Sequence, residues 1–565
     1  MPLTGCTPGP ANQSVTVVDS RPENPAWSQF ARDFIQGYFR HNPSFAIFQG
    51  QHDYDGQLSD WSSAGLKAQG DFLKDAVARG EAFDPKDMSN EQAFERGYLL
   101  AVARGRLFWL EDADQPHKNP AFYIGEGLDP NVYVARPYAS AATRMKAFIV
   151  LARNVPTAAA NIRANLRTPM PKSFIDYGTA AFKGLADYYV GDAKKAFASV
   201  SDPTLQKHFD EAAEPASRAM RDLAAWLESN RQNATDDFAF GPDRFARMLD
   251  ATEMVDTPLA QLQKVGEADM KRNQDALKAA CMLFAPGKSV PDCVAKMGAH
   301  KPEGGVVEAA RKQLPGLRAF LAEKDIVSIP GAELAQVQES PPYNRQNAAY
   351  IDIPGPYERG LPSVYYISPP DPAWTKAMQE GYIPGEKDLL FTSVHEVWPG
   401  HFLNFLHSNR SKFVFGKVFV GYAFSEGWAH YAEEMMWDAG LGNGDPETHV
   451  GQLSNALLRD CRFLSAIGLH ARGMTQEESR KMFVEQCFQD KGNARQQAAR
   501  GTYDPAYLNY TMGKLMIRRL RDDWTKEKGG KAAWKAFHDG FLSYGGPPIP
   551  LVRAQMLGGP AKAIF

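Results

Sequence analysis

The sequence has no surplus of either charge. Lys and Arg total 63 and Asp and Glu total 66, a formal net charge of −3 over 565 residues. A protein bound through phosphate contacts carries a basic face or half. No basic run is present, so nucleic acid is excluded as a partner. No apolar stretch reaches the 18 or more residues that a membrane helix needs. There is no internal repeat. No Cys-x-x-Cys pair occurs, which excludes a zinc ribbon or a thioredoxin-type motif. What remains is ordinary globular composition, 44% hydrophobic and 23% charged. The chain is long enough to bury a large core.

Cysteine is scarce, with only Cys6, Cys281, Cys293, Cys461 and Cys487. Leu3-Thr4-Gly5-Cys6 resembles the lipobox of bacterial lipoproteins, whose cysteine becomes the lipidated first residue. A lipobox follows a basic and then an apolar region. Neither stands ahead of it here, which leaves two readings, a trimmed leader or a chance match. Residues up to about Asn24 are rich in Pro, Ser, Thr and Gly, as in a flexible tether. If Cys6 is lipidated, the other four cysteines can form Cys281–Cys293 and Cys461–Cys487. Four buried reduced thiols are the alternative.

From residue 27 to about 320 the apolar residues recur at three and four, the spacing of helices. Segments 143–166, 203–230 and 261–281 are examples, punctuated by Pro and Gly clusters. Segment 340–374 differs. It is proline-rich and holds a β-type run, Ser363-Val364-Tyr365-Tyr366-Ile367-Ser368, between Pro362 and Pro369. That run reads as an edge strand or small hairpin. From Glu386 the pattern is helical again. The expectation is a mainly α protein with three parts. Residues 1–25 form a flexible tether, 26–340 an N-terminal helical half and 341–565 a C-terminal helical half, with a deep cleft between the halves.

Six of the twelve histidines fall between His395 and His470. The centre of this group is His395-Glu396-Val397-Trp398-Pro399-Gly400-His401. In the usual His-Glu-x-x-His motif two histidines four apart share a helix face and bind zinc. Here they are six apart, which on a regular helix turns them about 600° and leaves them about 120° apart. Pro399 cannot continue the helix, because it lacks an N–H and its ring clashes with the preceding turn. Gly400 admits an unusual backbone angle. A break at Pro-Gly would return His401 to His395. Catalytic zinc takes three protein ligands and keeps one position open. Glu426, 25 residues past His401, is the third candidate. Glu426, His430 and Glu433 share one face of an otherwise apolar helix, and buried acids need a partner. His395, His401 and Glu426 are therefore the expected ligands of one zinc or other divalent ion.

These residues resemble a known family, the bacterial domain-of-unknown-function family 885, grouped with zincin-type metallopeptidases. Its marks are His-Glu-x-x-Pro-Gly-His and Glu-Gly-Trp-Ala-x-Tyr, matched at His395 to His401 and Glu426 to Tyr431. Supporting likenesses lie at His41-Asn42-Pro43 through Gly50, at His52-Asp53-Tyr54-Asp55, at Arg462 through His470, and at Arg500 through Gly513. One departure is Ala466, where the family often has an Asp four residues after the arginine. The resemblance implies a large helical zincin-like fold with a deep cleft, often in an exported or lipid-anchored protein. It leaves the substrate undefined.

Glu396, beside the first ligand, suits the general base that takes a proton from water and passes it to the leaving amine. Tyr510, with Tyr507 as second choice, could donate to the oxyanion. His470, Arg462 and Arg500 could hold that oxyanion or a substrate carboxylate. Glu433 could orient a histidine ligand or form a plain salt bridge. His407 and His430 fit no ligand slot and read as structural. The β-type run could accept an extended peptide by strand addition. The expected protein is a zinc peptidase acting on short peptides in the bacterial cell envelope, as a periplasmic or membrane-anchored lipoprotein. The alternatives are a hydrolase of other amides or esters, and a non-catalytic, metal-stabilised binding protein. The oligomeric state stays open.

Overall fold

A computed structural model describes residues 21–341, 344–345 and 348–565. Cys6 and most of the expected tether lie outside the described residues. The architecture is mainly α-helical, with a single small sheet among the described residues. No described helix is long and apolar enough to cross a membrane.

The apolar interior falls into two cores. The first is built from residues 27–227, with 413–419 inserted from the distant part of the chain. Its centre is formed by α1 (Ala141–Asn165), α2 (Lys172–Val190) and α3 (Pro203–Ser229). The Asp202 side chain caps the start of α3 by accepting from the amides of Thr204 and Leu205. Leu205, Phe209, Ala212, Ala216, Met220 and Leu223 then recur on one buried face. Each large side chain so buried contributes about 1.5–3 kcal/mol.

The second core runs from Phe245 to Ala563, joined by Phe108 and Ala113. Residues 245–327 belong to it. The packing therefore changes hands near residue 240, well before the proline-rich segment where the sequence pattern placed the boundary between halves. The long helices α4 (Leu259–Phe284) and α5 (Pro446–Ala471) pack together in this core. Disulfides join Cys281 to Cys293 and Cys461 to Cys487. Both pairings are those offered by the sequence, and the second tethers the middle of α5 to the loop before residue 490.

The sheet has strands β1 (Ala335–Glu339), β2 (Ala349–Asp352) and β3 (Ser363–Ile367) in the order β1-β3-β2. β3 runs parallel to β1 and antiparallel to β2, with Tyr365 opposite both Val337 and Ile351. The β-type run is thus the central strand, buried along its whole length. Both of its edges are already paired, so no peptide can add to it. The edge facing the cleft belongs to β2.

Two further helices carry the ends of the site. They are α6 (Tyr422–Asp438) and α7 (Asn509–Thr525), which cross at Gly427 and Gly513. A Cβ on Gly427 would stand 2.5 Å from the Gly513 Cα, and one on Gly513 would stand 2.0 Å from the Ala423 carbonyl oxygen. Only glycine permits this approach. Beneath the crossing, Lys514 and Asp269 form a buried ion pair that ties α7 to α4.

Glu253 ties the starts of both helices. One carboxylate oxygen accepts from the Ala423 amide of α6 and the Asn509 side chain of α7, each at 3.1 Å. The other oxygen is buried without a partner. Burial pushes the Glu253 pKa up to about 8, against the opposing pull of the Ala423 amide. Below the ordinary carboxylate range both folded and unfolded chains hold this proton. Above it the unfolded chain ionises first, so stability falls by about 1.4 kcal/mol per pH unit until the folded group titrates. Glu253→Gln is therefore expected to gain stability over the wild type as pH rises from 5 to 8. Denaturant midpoints at several pH values check this; a constant difference between the two proteins counts against it.

Candidate functional site

The His-Glu-x-x-Pro-Gly-His segment is helical only at its ends. One helix, Glu386–Glu396, stops at the glutamate, and the next, His401–Ser408, starts at the second histidine. Between them Val397 leaves helical geometry at φ −124°, ψ −74°. Gly400 adopts φ −70°, ψ −129° and donates from its amide to the Val394 carbonyl at 2.9 Å. A Cβ on Gly400 would lie 1.7 Å from the His395 carbonyl oxygen. The turn is pinned from outside by Trp428, whose indole N–H donates to the Pro399 carbonyl at 2.8 Å. The two imidazole rings consequently lie 4.9 Å apart and perpendicular. The break expected at Pro-Gly is present, and it brings the histidines together.

α6 supplies the third group. Glu426 Oε2 is 3.2 Å from Nε2 of His395 and 3.2 Å from Nε2 of His401. Donor atoms of the three residues all lie within 4.8 Å of one another, a grouping that could hold a metal ion. The outer nitrogens are occupied as well. His395 Nδ1 meets Glu433 Oε1 at 2.7 Å, and His401 Nδ1 meets Ser425 Oγ at 3.1 Å. His395 therefore faces a carboxylate at each ring nitrogen, which satisfies both only if a positive charge resides there. Desolvation alone would lower its pKa; the hydrogen bonds to Glu426 and Glu433 outweigh it and raise the imidazole to about 9. Burial works against the Glu426 carboxylate too, yet His401 and His395 hold its pKa well below the usual range. Glu433 is fully buried and is also approached by Arg459, 3.4 Å away.

Glu396 closes the first helix, is 7% exposed and lines a cleft of about 3320 Å³. Burial raises its pKa. The cleft is lined by residues packed on both cores, Phe122 and Phe238 on the first and Leu389 and Phe405 on the second, together with His395, Glu396 and Arg462. The ring of Tyr510 stacks on His395 at 6.0 Å between centroids. The guanidinium of Arg462 lies 4.6 Å from the same tyrosine ring. Arg500 binds Asp504 at 2.9 Å and the Tyr422 hydroxyl at 2.9 Å. The structure thus gathers His395, His401, Glu426, Glu396, Glu433, Tyr510, Arg462 and Arg500 in one region.

Two expected residues are placed elsewhere. His470 is buried against Phe238, Phe240 and Phe245. Its Nε2 donates to the Gly501 carbonyl at 2.7 Å, and Nδ1 accepts the Phe240 amide at 3.4 Å. Burial pushes its pKa down to about 4. With both nitrogens engaged by backbone, it is a neutral packing residue and not a group for the oxyanion. Tyr507 sits in a 3₁₀ turn, Pro505–Leu508, ahead of α7. Its hydroxyl donates to Ser465 at 2.7 Å, away from the cleft. Its hydroxyl meets Ser465, whereas the Tyr510 ring meets His395 and Arg462.

The sequence pattern alone does not single out Ser425, Trp428, Arg459 or Tyr422 as site residues. Trp428 had a signal, since it stands next to Glu426 and Gly427, but an indole on an apolar helix reads first as packing. Its hydrogen bond has a measurable consequence. Trp428→Phe leaves the Pro399 carbonyl unpaired in the interior, at a cost of about 1–3 kcal/mol. Chemical denaturation is expected to show a loss of that size, and an unchanged midpoint would assign the indole to packing alone.

The mostly helical fold is similar to that of two solved proteins. One is a candidate lipoprotein of unknown function from Shewanella oneidensis, 23% identical, with a TM-score of 0.76 over 94% of this chain and 99% of that one. The other is a candidate lipoprotein from Colwellia psychrerythraea, 16% identical, with a TM-score of 0.79 over 94% of this chain and 98% of that one. The chain itself belongs to the bacterial family of proteins of unknown function DUF885, which matches residues 43–556. No curated protein matches it.

Proposed function

We propose that this protein is a metal-dependent hydrolase, with zinc as the ion and short peptides as the substrate. The observation that carries the reading is the convergence of His395, His401 and Glu426 beside Glu396 in the lining of the cleft. The donor set fits such an ion. Both Nε2 atoms turn inward toward one carboxylate oxygen, both Nδ1 atoms are held from outside, and the arrangement calls for positive charge. Imidazole and carboxylate ligands of this kind suit zinc. Bound there, zinc supplies a Lewis acid that makes water a nucleophile at neutral pH.

The chain's own residues do the rest. Glu433 holds His395 in one tautomer, and Ser425 orients His401. Glu396 accepts the proton of the attacking water and returns it to the leaving nitrogen. Tyr510, stacked on His395 at the cleft wall, donates its hydroxyl hydrogen to the oxyanion. β2 is the sheet edge that lines the cleft, and an extended peptide can pair along it.

The proposed location is the bacterial envelope. Two disulfides fit an oxidising compartment, both fold relatives are described as candidate lipoproteins, and Leu3-Thr4-Gly5-Cys6 offers a lipid attachment point. The test is a peptide library incubated with zinc-loaded protein and read by mass spectrometry. Discrete cleavage products that vanish with a chelator and return with zinc are expected. No product from peptides, with turnover of an ester or non-peptide amide panel, would move the substrate class. No turnover of any kind, with zinc bound, would leave a binding protein.

A further inference from the structure

Arg462 is buried in the cleft wall without an acidic partner. Its side chain is 7% exposed. Nε donates to the neutral side chain of Gln497 at 2.8 Å, and the guanidinium plane rests on Tyr510. Among the described residues it makes no ion pair. Its neighbours differ: Arg459 faces Glu433 at 3.4 Å, and Arg500 faces Asp504 at 2.9 Å. Ala466, one turn further along α5, offers only a buried methyl. A cation withdrawn from water is costly unless an anion meets it, and a guanidinium fork matches a carboxylate with two parallel hydrogen bonds. Arg462 lines the cleft, so that anion can come from a ligand.

The distance to the candidate metal site limits what the ligand can be. Arg462 and His395 each contact the Tyr510 ring, at 4.6 Å and 6.0 Å. The guanidinium is therefore within about 11 Å of the His395 imidazole. An extended residue spans about 3.5 Å. Once the contact distances at both ends are taken off, no more than two residues fit between.

We infer that Arg462 is the anchor for the free α-carboxylate of a peptide substrate, which makes this protein a C-terminal exopeptidase releasing one or two residues. The inference rests on the hydrolase reading above for its chemistry and on Arg462 alone for its specificity. The bond broken is the amide C–N. The water oxygen goes to the carbonyl carbon, and the proton removed by Glu396 goes to the amine of the released fragment. Tyr510 fixes the plane of the guanidinium, and Gln497 fixes its Nε.

The test separates binding from turnover. N-acetyl-leucine and its carboxamide are titrated by calorimetry into the full-length protein, first zinc-free so that no carboxylate can bind the ion. Wild type is expected to favour the carboxylate at least tenfold, Arg462→Met to lose that preference, and Arg462→Lys to keep part of it. Melting curves establish that the variants fold. If Arg462→Met does not fold, the wild-type and Arg462→Lys comparisons decide. With zinc restored, matched acetylated tetrapeptides ending in carboxylate or carboxamide are compared. A preference of about a hundredfold in kcat/KM for the carboxylate is expected, carried mainly by KM and removed by Arg462→Met. Equal binding of carboxylate and carboxamide by wild type overturns the inference, as does a folded Arg462→Met that keeps the preference. If no peptide is cleaved but the carboxylate preference in binding persists and depends on Arg462, the hydrolase reading fails and the carboxylate site stands.

Discussion

Glu396→Gln is expected to cut hydrolysis about a hundred- to ten-thousand-fold while leaving the bound divalent ion in place. Glu396 is the last residue of its helix, one position past His395, and it lines the cleft. It lies outside the group of three donors that could hold a metal. Its carboxylate makes no ion pair among the described residues, so it is free to take a proton. Glutamine keeps the size and the hydrogen-bonding capacity and removes only the base. Rates on a verified substrate, measured beside metal content by mass spectrometry, test this. Full activity in the variant would end the general-base role. Loss of the ion with the activity would make Glu396 a ligand.

Gly400→Ala is expected to be the most damaging single substitution in the motif. A methyl there meets the His395 carbonyl at 1.7 Å, a distance no side-chain adjustment relieves, because the obstacle is backbone. The chain must open the turn between the two helices. Overpacking of this kind costs about 1–3 kcal/mol and sometimes more. Opening the turn also moves His401 from His395 and Glu426, so zinc affinity should fall together with stability. A urea denaturation series with and without zinc checks both effects. A variant as stable as wild type, with zinc affinity unchanged, would mean that the close approach at Gly400 does not set the site.

The site was legible in sequence because the two residue types that break helices stand where the spacing requires a break. Pro399 and Gly400 convert a six-residue spacing that a helix would waste into two imidazoles facing one carboxylate. The long helices were legible too, since segments such as 203–230 repeat their apolar residues at helical spacing. Other features were legible only in part. The strand signal at β3 fits the small hairpin it forms with β2, but the third strand β1, Ala335–Glu339, has one apolar residue longer than alanine and no strand pattern of its own. The surroundings of Tyr507 and His470 carry no sequence signal: the Ser465 hydroxyl holds the one, and a pocket of phenylalanines and the Gly501 carbonyl hold the other. Arg462 was singled out, but its lack of an acidic partner appears only once the opposing elements are in position.

The central claim is that His395, His401 and Glu426 form one metal site, and zinc stoichiometry tests it most directly. Wild type and His401→Ala are stripped with chelator, equilibrated with excess zinc, desalted and assayed for metal per chain. One zinc per chain in wild type and a loss of most of it in a folded His401→Ala are the predicted results. A wild type that retains no zinc, or a His401→Ala that retains as much as wild type, contradicts the account.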